Sequence, residues 1–258
     1  MTRILAALTA TVCLATPALA ETAIGLTGDK TLVMIDTATA AVTGTVDVAD
    51  VDRLLGIDYR PSNSTVVGVT AAHVIVVIDP ATGATTELAT MNTMLPSVDQ
   101  PVVVDFNPMA DRLRFMSGTV NHRVNPDTGE VTVDGTLAYA PDDMHAGQAP
   151  TIAAAAYINS FGKPEATGMY DIDAATSALV KQAPPNDGVL ASVGMLGVTL
   201  DGPVAFDVAT TADGTNTAWL VALGGLHTVD LETGAVIETR PLTGAPGDIR
   251  DMTVLPAM

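Results

Sequence analysis

The hexapeptide Ile78-Asp79-Pro80-Ala81-Thr82-Gly83 is one copy of a motif that recurs along the chain. Related copies occupy residues 35–40 (IDTATA), 124–129 (VNPDTG), 172–177 (IDAATS) and 229–234 (VDLETG). A β-branched residue is typical of a strand end, Asp or Asn caps a turn through its own side chain, and Gly accepts a positive φ. The motif therefore predicts five β-hairpins of one kind.

The spacing of the copies indicates how many strands each repeat holds. Their Asp or Asn positions lie 43, 46, 48 and 57 residues apart, which suits four short strands per repeat. The strands around the quoted copy are predicted at 54–60, 65–70, 74–78 and 84–88. Equivalent first strands are predicted to begin at Val102, Ile152 and Val204, and no amphipathic helix is predicted after residue 20.

The two ends of the chain complement each other. Residues 249–255 resemble a first strand with nothing after it, and residues 23–48 resemble three strands with nothing before them. Pairing them completes a four-stranded blade and leaves no open seam in the ring. We therefore predict an all-β fold, a five-bladed β-propeller closed by pairing of the N- and C-terminal segments in one blade. Six blades or another all-β repeat are the alternatives, because the 57-residue interval has room for a degenerate unit.

Composition and charge exclude several classes of protein. The 258 residues include 29 acidic and 11 basic side chains, for a formal net charge of −18. Such a charge repels nucleic acid and anionic membrane surfaces. Because 48% of the residues are hydrophobic and only 16% are charged, the chain can bury a core and is not expected to be disordered.

Residues 1–20 have the pattern of a secretory signal peptide. Arg3 precedes an apolar run over residues 4–15, and Ala18-Leu19-Ala20 forms a small-x-small cleavage site. We expect cleavage after Ala20, a single propeller domain over residues 21–258 without a transmembrane segment, and a periplasmic or extracellular location. The only cysteine, Cys13, lies within this segment, so thiol catalysis and disulfides are not expected of the mature chain.

An acidic position recurs in the first strands. Asp58, Asp105 and Asp207 precede their hairpin residues by 21, 20 and 23 positions, and Asp251 joins them if the termini are adjacent. The repeat that begins at Ile152 has only alanines here. The favoured interpretation is structural, with each Asp accepting backbone N–H bonds between neighbouring blades. The alternative is that the carboxylates converge on a channel cation such as Ca²⁺, although no D-x-D-x-D-G loop is present and no cofactor is otherwise expected.

The repeat that begins at Val102 departs from the others in its basic residues. Strand alternation puts Arg112 and Arg114 on one face, where their guanidinium groups could hold a carboxylate or phosphate ligand. The favoured alternative is that they form internal ion pairs with Asp105, Asp111 and Asp127. The candidate binding residues from both patterns are Asp58, Asp105, Asn107, Arg112, Arg114, Arg123, Asp207 and Asp251.

Several stretches of the chain resemble one known family. They are 54–61 (LLGIDYRP), 104–114 (VDFNPMADRLR), 125–129 (NPDTG), 133–137 (VDGTL), 154–157 (AAAY) and 214–218 (GTNTA). They look like the exported bacterial proteins grouped as domain of unknown function 4394. The resemblance implies a secreted, propeller-like domain with no established activity, so it assigns no catalytic residue. Ala40 and Ser177 stand where that family tends to have Gly in the hairpin.

The sequence favours binding over catalysis. No G-x-S-x-G, H-E-x-x-H or P-loop motif occurs, so the leading hypothesis is a monomeric module that binds an unidentified ligand or protein partner without catalysis. The alternative is a hydrolase that uses channel carboxylates, of the glycosidase or metal-dependent lactonase type. Only 3% of the residues are aromatic, which argues against a sugar-binding site.

Overall fold

The fold is described from a computed structural model, which describes residues 21–256. The predicted signal peptide, residues 1–20, lies outside the described residues. Within them the chain contains no α-helix long and apolar enough to cross a bilayer.

Within residues 21–256, twenty-one strands form five mainly antiparallel sheets, which we number as blades in chain order. Blade 1 contains β21 (Ile249–Val254), β1 (Thr22–Thr27), β2 (Thr31–Asp36) and β3 (Ala41–Asp47). Blade 2 contains β4 (Leu54–Arg60), β5 (Thr65–Thr70), β6 (Val74–Ile78) and β7 (Thr85–Thr90). Blade 3 contains β8 (Val102–Asn107), β9 (Arg112–Ser117), β10 (Val120–Val124) and β11 (Val131–Val133).

The last two blades complete the ring. Blade 4 contains β13 (Ile152–Tyr157), β14 (Met169–Asp173), β15 (Ala178–Gln182) and β16 (Val189–Met195), and the short β12 (Ala138–Tyr139) adds in parallel to β16. Blade 5 contains β17 (Ala205–Thr210), β18 (Asn216–Ala222), β19 (Gly225–Val229) and β20 (Val236–Pro241). The five-bladed β-propeller predicted from the repeats is confirmed.

The termini close the ring within blade 1. Strand β21 pairs antiparallel with β1, with Ala23 opposite Val254 and Leu26 opposite Asp251. The innermost strands β21, β4, β8, β13 and β17 each contact the next, and β17 contacts β21 again, so they surround a central channel. The predicted closure by the two ends is therefore confirmed.

The hydrophobic core is divided among the blade junctions. Five clusters of buried side chains are present in the described residues, and each draws its members from two neighbouring blades. Ile24 and Ile57, for example, share the cluster between blades 1 and 2. Each blade therefore has buried side chains on both of its faces. The Val, Ile and Leu side chains of its strands pack at the two junctions.

Four of the recurring hairpins dock their blade on the preceding one. Gly83 of blade 2 accepts a hydrogen bond from Ala49 N (2.8 Å), just after the outer strand of blade 1. A Cβ at Gly129 of blade 3 would lie 2.0 Å from the carbonyl oxygen of Thr90, at the end of β7. Ala40 keeps the positive φ of this position (52°) and accepts from Thr243 N of blade 5 (2.9 Å). The motif therefore builds a contact between blades as well as a turn.

One of the five predicted hairpins differs from the rest. Residues 172–177 join the second and third strands of blade 4, whereas the other four copies join third and fourth strands. Its Asp173 is buried and accepts the hydroxyl of Tyr139, so this turn holds β12 against blade 4. The 57-residue interval between Asp173 and Asp230 includes β16 and the connection to β17. No sixth blade is found in residues 21–256.

We predict that Gly129→Ala destabilises the protein more than Gly147→Ala. Both glycines have positive φ, 71° and 81°, but a Cβ at Gly147 would meet nothing within 4 Å. The positive φ costs each alanine about 1–2 kcal/mol, and the collision with Thr90 should cost Gly129→Ala at least about 1 kcal/mol more. Urea unfolding measures the difference, and equal losses would mean that the glycine serves only the turn.

Candidate functional site

Four aspartates on the innermost strands form a ring around the channel, which we call the aspartate ring: Asp58, Asp105, Asp207 and Asp251. Each is buried, with 5–7% of its surface exposed. Each carboxylate accepts a backbone N–H from the innermost strand of the next blade. The pairs are Ile57 N to Asp251 (2.7 Å), Phe106 N to Asp58 (2.6 Å), Tyr157 N to Asp105 (2.9 Å) and Val254 N to Asp207 (2.6 Å). This geometry supports the structural interpretation of the repeated Asp.

The junction between blades 4 and 5 is joined in another way. Strand β13 has alanines where the other inner strands have Asp, and the connection that follows it, residues 158–168, crosses to blade 5. Ser160 N donates to the Thr210 hydroxyl (2.9 Å) and Ser160 Oγ donates to the Val208 carbonyl (3.0 Å). Asn159 and Asn216 exchange two further hydrogen bonds of 2.9 Å. A loop therefore replaces the carboxylate at this junction.

Burial dominates the electrostatics of the ring. It raises the pKa of Asp207 to about 6 and the pKa of Asp251 to about 8, although backbone N–H groups oppose the shift. Burial, followed by the charge of neighbouring aspartates, raises the pKa of Asp58 and of Asp105 well above the usual value. The ring is therefore held partly in its protonated form at neutral pH.

Three of these carboxylates approach one another closely at the channel axis. One oxygen each of Asp58, Asp105 and Asp207 lies within 4.8 Å of the others. They border a central cavity of about 10 Å³, large enough for a single water molecule. Asp58 and Asp207 use both oxygens as hydrogen-bond acceptors, whereas Asp105 Oδ2 has no partner in residues 21–256. Ca²⁺ takes six to eight oxygen ligands, so this arrangement offers only part of a calcium shell.

A much larger cavity, the mouth pocket, lies above one end of the channel. It has a volume of about 860 Å³ and is walled by blade 2, by the chain ends of blade 1 and by the loop 158–168. Tyr59 and Ser160 border both the mouth pocket and the central cavity, so the pocket sits directly over the aspartate ring. Its lining is Thr22, Tyr59, Pro61, Ser64, Thr65, Val66, Val77, Ile78, Pro80, Ser160, Phe161, Gly162, Leu255 and Pro256.

The basic candidates of blade 3 lie apart from both cavities. Arg114 is 2% exposed and bonds Asp134 (2.8 Å), Asn121 (2.7 Å) and the Tyr157 hydroxyl (3.1 Å). Arg123 pairs with the same Asp134 (3.0 Å). The predicted internal role of Arg114 is therefore supported, but its acidic partner is Asp134 instead of Asp105, Asp111 or Asp127.

Two other candidates of blade 3 serve local structure. Arg112 is half-buried and donates to the backbone carbonyl of Asp111 (3.0 Å). Asn107 caps the turn between β8 and β9 by accepting from Met109 N (3.0 Å) and Ala110 N (2.9 Å). Arg112 and Arg123 border a separate hollow of about 160 Å³. The structure thus brings the four aspartates together and leaves Asn107, Arg112, Arg114 and Arg123 elsewhere.

Sequence reasoning missed the residues that border the mouth pocket and one buried cation. Arg60, 4% exposed, forms paired hydrogen bonds to Asp111 (2.6 and 2.8 Å) and to Asp127 (2.6 and 2.9 Å). The length of the connection after β13 was the available signal for the pocket, because the equivalent turn of blade 2 has only four residues, 61–64. No comparable signal marks Arg60, since its partners lie about 50 and 70 residues away along the chain.

The fold and the cavities define a small five-bladed β-propeller with a pocket over one mouth of its channel. The chain belongs to the family described as Domain of unknown function (DUF4394), which matches residues 25–253. The family resemblance seen in the sequence is thus confirmed.

Two solved structures match the chain over most of its length. One, a protein of unknown function from Bacteroides thetaiotaomicron VPI-5482, is 16% identical, with a TM-score of 0.51 over 94% of this chain and 68% of that chain. A protein of unknown function from Bacteroides caccae is 15% identical, with a TM-score of 0.45 over 88% and 75% of the two chains. No curated protein matches the sequence.

We predict that Asp251→Asn flattens the pH dependence of stability between pH 4 and pH 8. A raised pKa means that the folded state holds a proton that the unfolded state has lost above about pH 3.9. The contribution of Asp251 to the free energy of unfolding therefore falls as pH rises towards 8, by up to about 1.4 kcal/mol per pH unit. Asp207→Asn should act over the narrower window from about pH 4 to about 6.

Denaturant unfolding at several pH values measures this effect as the difference between variant and unmodified protein. Asp201→Asn is the control, because Asp201 is exposed. Its free energy of unfolding, plotted against pH, should run parallel to that of the unmodified protein. Burial lowers the pKa of His73 and of His122, so these residues make the free energy of unfolding rise with pH below about pH 6.5. This contribution is the same in the variants and in the unmodified protein, and it cancels in the difference between them. A difference that does not vary with pH would contradict the prediction.

Proposed function

We propose that the protein is an exported β-propeller that binds a ligand in the mouth pocket and does not catalyse a reaction. Export rests on the signal-like pattern of residues 1–20. The observation that carries the binding role is the position of the pocket: about 860 Å³, over the channel mouth, with walls from two blades and a loop. Ligand pockets in proteins commonly have volumes of about 300–1,000 Å³ and mainly apolar walls.

The departure of blade 4 from the repeat pattern supports the same proposal. The loop 158–168 exists where blades 2, 3 and 5 have four- or five-residue turns, and Ser160 anchors it to blade 5. Beyond this anchor the loop places Phe161, 43% exposed, at the wall of the pocket. A repeat protein commonly carries its function where one repeat differs, because the shared features serve the scaffold.

The geometry of the aspartate ring speaks against the hydrolase alternative. General acid–base catalysis requires a carboxyl group within reach of the substrate. Here the carboxylates accept backbone N–H bonds and face a cavity of about 10 Å³, which cannot admit a sugar ring or a lactone.

We predict that small-molecule fragments bind in the mouth pocket and lose at least tenfold in affinity on Thr65→Trp. Thr65 is half-buried at the pocket wall, so the indole would occupy ligand space. Ile237→Trp is the matched control, because Ile237 is 69% exposed on β20 and lies outside the pocket. Ligand-observed NMR with a fragment library measures binding, and circular dichroism confirms folding.

Two results would overturn this proposal. Fragments that bind Thr65→Trp as well as the unmodified protein would remove the pocket as the binding site. Turnover of a panel of aryl glycosides, esters and lactones, lost in Asp105→Asn without a change in melting temperature, would favour the hydrolase.

We also predict that Ca²⁺ does not stabilise the protein. A site occupied at one hundred times its dissociation constant adds about 2.7 kcal/mol, which for a chain of this size raises the melting temperature by roughly 5–11 °C. Because the ring carboxylates already accept backbone N–H bonds, we expect a shift of less than about 1 °C between EDTA and 10 mM Ca²⁺. A larger rise that disappears in Asp105→Asn would establish a channel cation.

A further inference from the structure

We infer that the ligand of the mouth pocket is an uncharged, mainly apolar small molecule that carries a hydroxyl or carbonyl group. This inference rests on the proposed binding function and concerns its specificity. Although the chain has a net charge of −18, none of the charged side chains among residues 21–256 lines the pocket. Apolar groups such as Val66, Ile78, Phe161 and Leu255 form much of its wall.

The charged residues next to the pocket lining have other partners within the described residues. Tyr59 lies between Asp58, which accepts from Phe106 N (2.6 Å), and Arg60, which is held by Asp111 and Asp127. Asp79, beside Pro80, accepts from Ala81 N (2.9 Å) and from the Thr82 hydroxyl (2.7 Å).

The other two charged neighbours offer no buried counter-charge either. Glu21, beside Thr22, accepts from Trp219 Nε1 (3.1 Å). Lys163, next to Gly162, is exposed to solvent. A charged ligand would therefore be desolvated in the pocket without a buried partner, which costs several kcal/mol.

The polar groups that remain available are hydroxyls. Tyr59 and Ser64 line the pocket, and their hydroxyl groups make no hydrogen bond to any residue between 21 and 256. A phenol can both donate and accept, so it can meet a neutral hydroxyl or carbonyl group of the ligand. Such a site orients an uncharged molecule through one or two hydrogen bonds and binds it through apolar area.

Three naphthalene probes of different charge test this inference. They are the neutral N-phenyl-1-naphthylamine, the anionic 8-anilino-1-naphthalenesulfonate, which has the same skeleton, and the cationic N-(1-naphthyl)ethylenediamine. Fluorescence titration of the purified protein should give a dissociation constant for the neutral probe at least tenfold below that of either charged probe. Thr65→Trp should raise the dissociation constant of the neutral probe at least tenfold, whereas Ile237→Trp should leave it unchanged.

The outcomes separate the two proposals. If a charged probe binds most tightly and loses its affinity in Thr65→Trp, the pocket binds ligands but their proposed class is wrong. If the anionic probe binds most tightly and Lys163→Gln weakens its binding, the proposed ligand class is likewise wrong. If no probe is sensitive to pocket substitutions, the binding function itself fails. Phe161→Ala provides a second pocket variant should Thr65→Trp not fold, because Phe161 is 43% exposed.

Discussion

The hydrogen bond from a backbone N–H of one inner strand to an aspartate of the preceding blade is the interaction on which the rest of the structure depends. An innermost strand is the edge of its sheet, so its channel-facing N–H groups have no strand partner. Asp251, Asp58, Asp105 and Asp207 supply acceptors at four of the five junctions. Gly56 makes one of these contacts possible, because a Cβ there would lie 2.6 Å from Asp251 Oδ2. These bonds satisfy one N–H group on each of four inner strands, and the central cavity that remains has a volume of only about 10 Å³.

The same interaction has an electrostatic consequence that bears on function. Joining the blades with carboxylates puts several acids into one small buried space, where burial and mutual repulsion raise their pKa values. A channel filled in this way has no room for a substrate, which is why the proposed binding site lies at its mouth. The junction that lacks an aspartate is the one that carries the loop 158–168, and this loop supplies part of the pocket wall. The loop that replaces the aspartate at this junction is therefore also part of the candidate site.

Sequence patterns predicted the parts of the structure that depend on local chemistry. The first strands starting at Val102 and Ile152 follow from β-branched runs bounded by turn residues, and the inter-blade role of Asp58 and Asp105 follows from a regular offset to the hairpin. The hairpin at 172–177 carries the same turn chemistry as the others, so the sequence could not reveal that it joins a different pair of strands. The long connection after β13 marks only one wall of the mouth pocket, and the rest of the pocket, like the Arg60 ion pairs, depends on contacts between distant residues.

The distribution of acidic residues gives the mouth pocket its contrast with the rest of the molecule. The hairpin aspartates Asp36, Asp79 and Asp230 cap their own turns, and those hydrogen bonds lower the pKa of each carboxyl. Four more acids are enclosed in the aspartate ring. An acid in either position is fixed by backbone N–H groups, so much of the acidic character serves the scaffold. A surface of net negative charge repels anions and disfavours association with a second copy, whereas a pocket without charged side chains stays available to molecules that this field does not affect. A surface of high negative charge and a pocket without charged side chains would together disfavour anions and contacts with other acidic proteins, a selectivity that suits the proposed binding of an uncharged ligand.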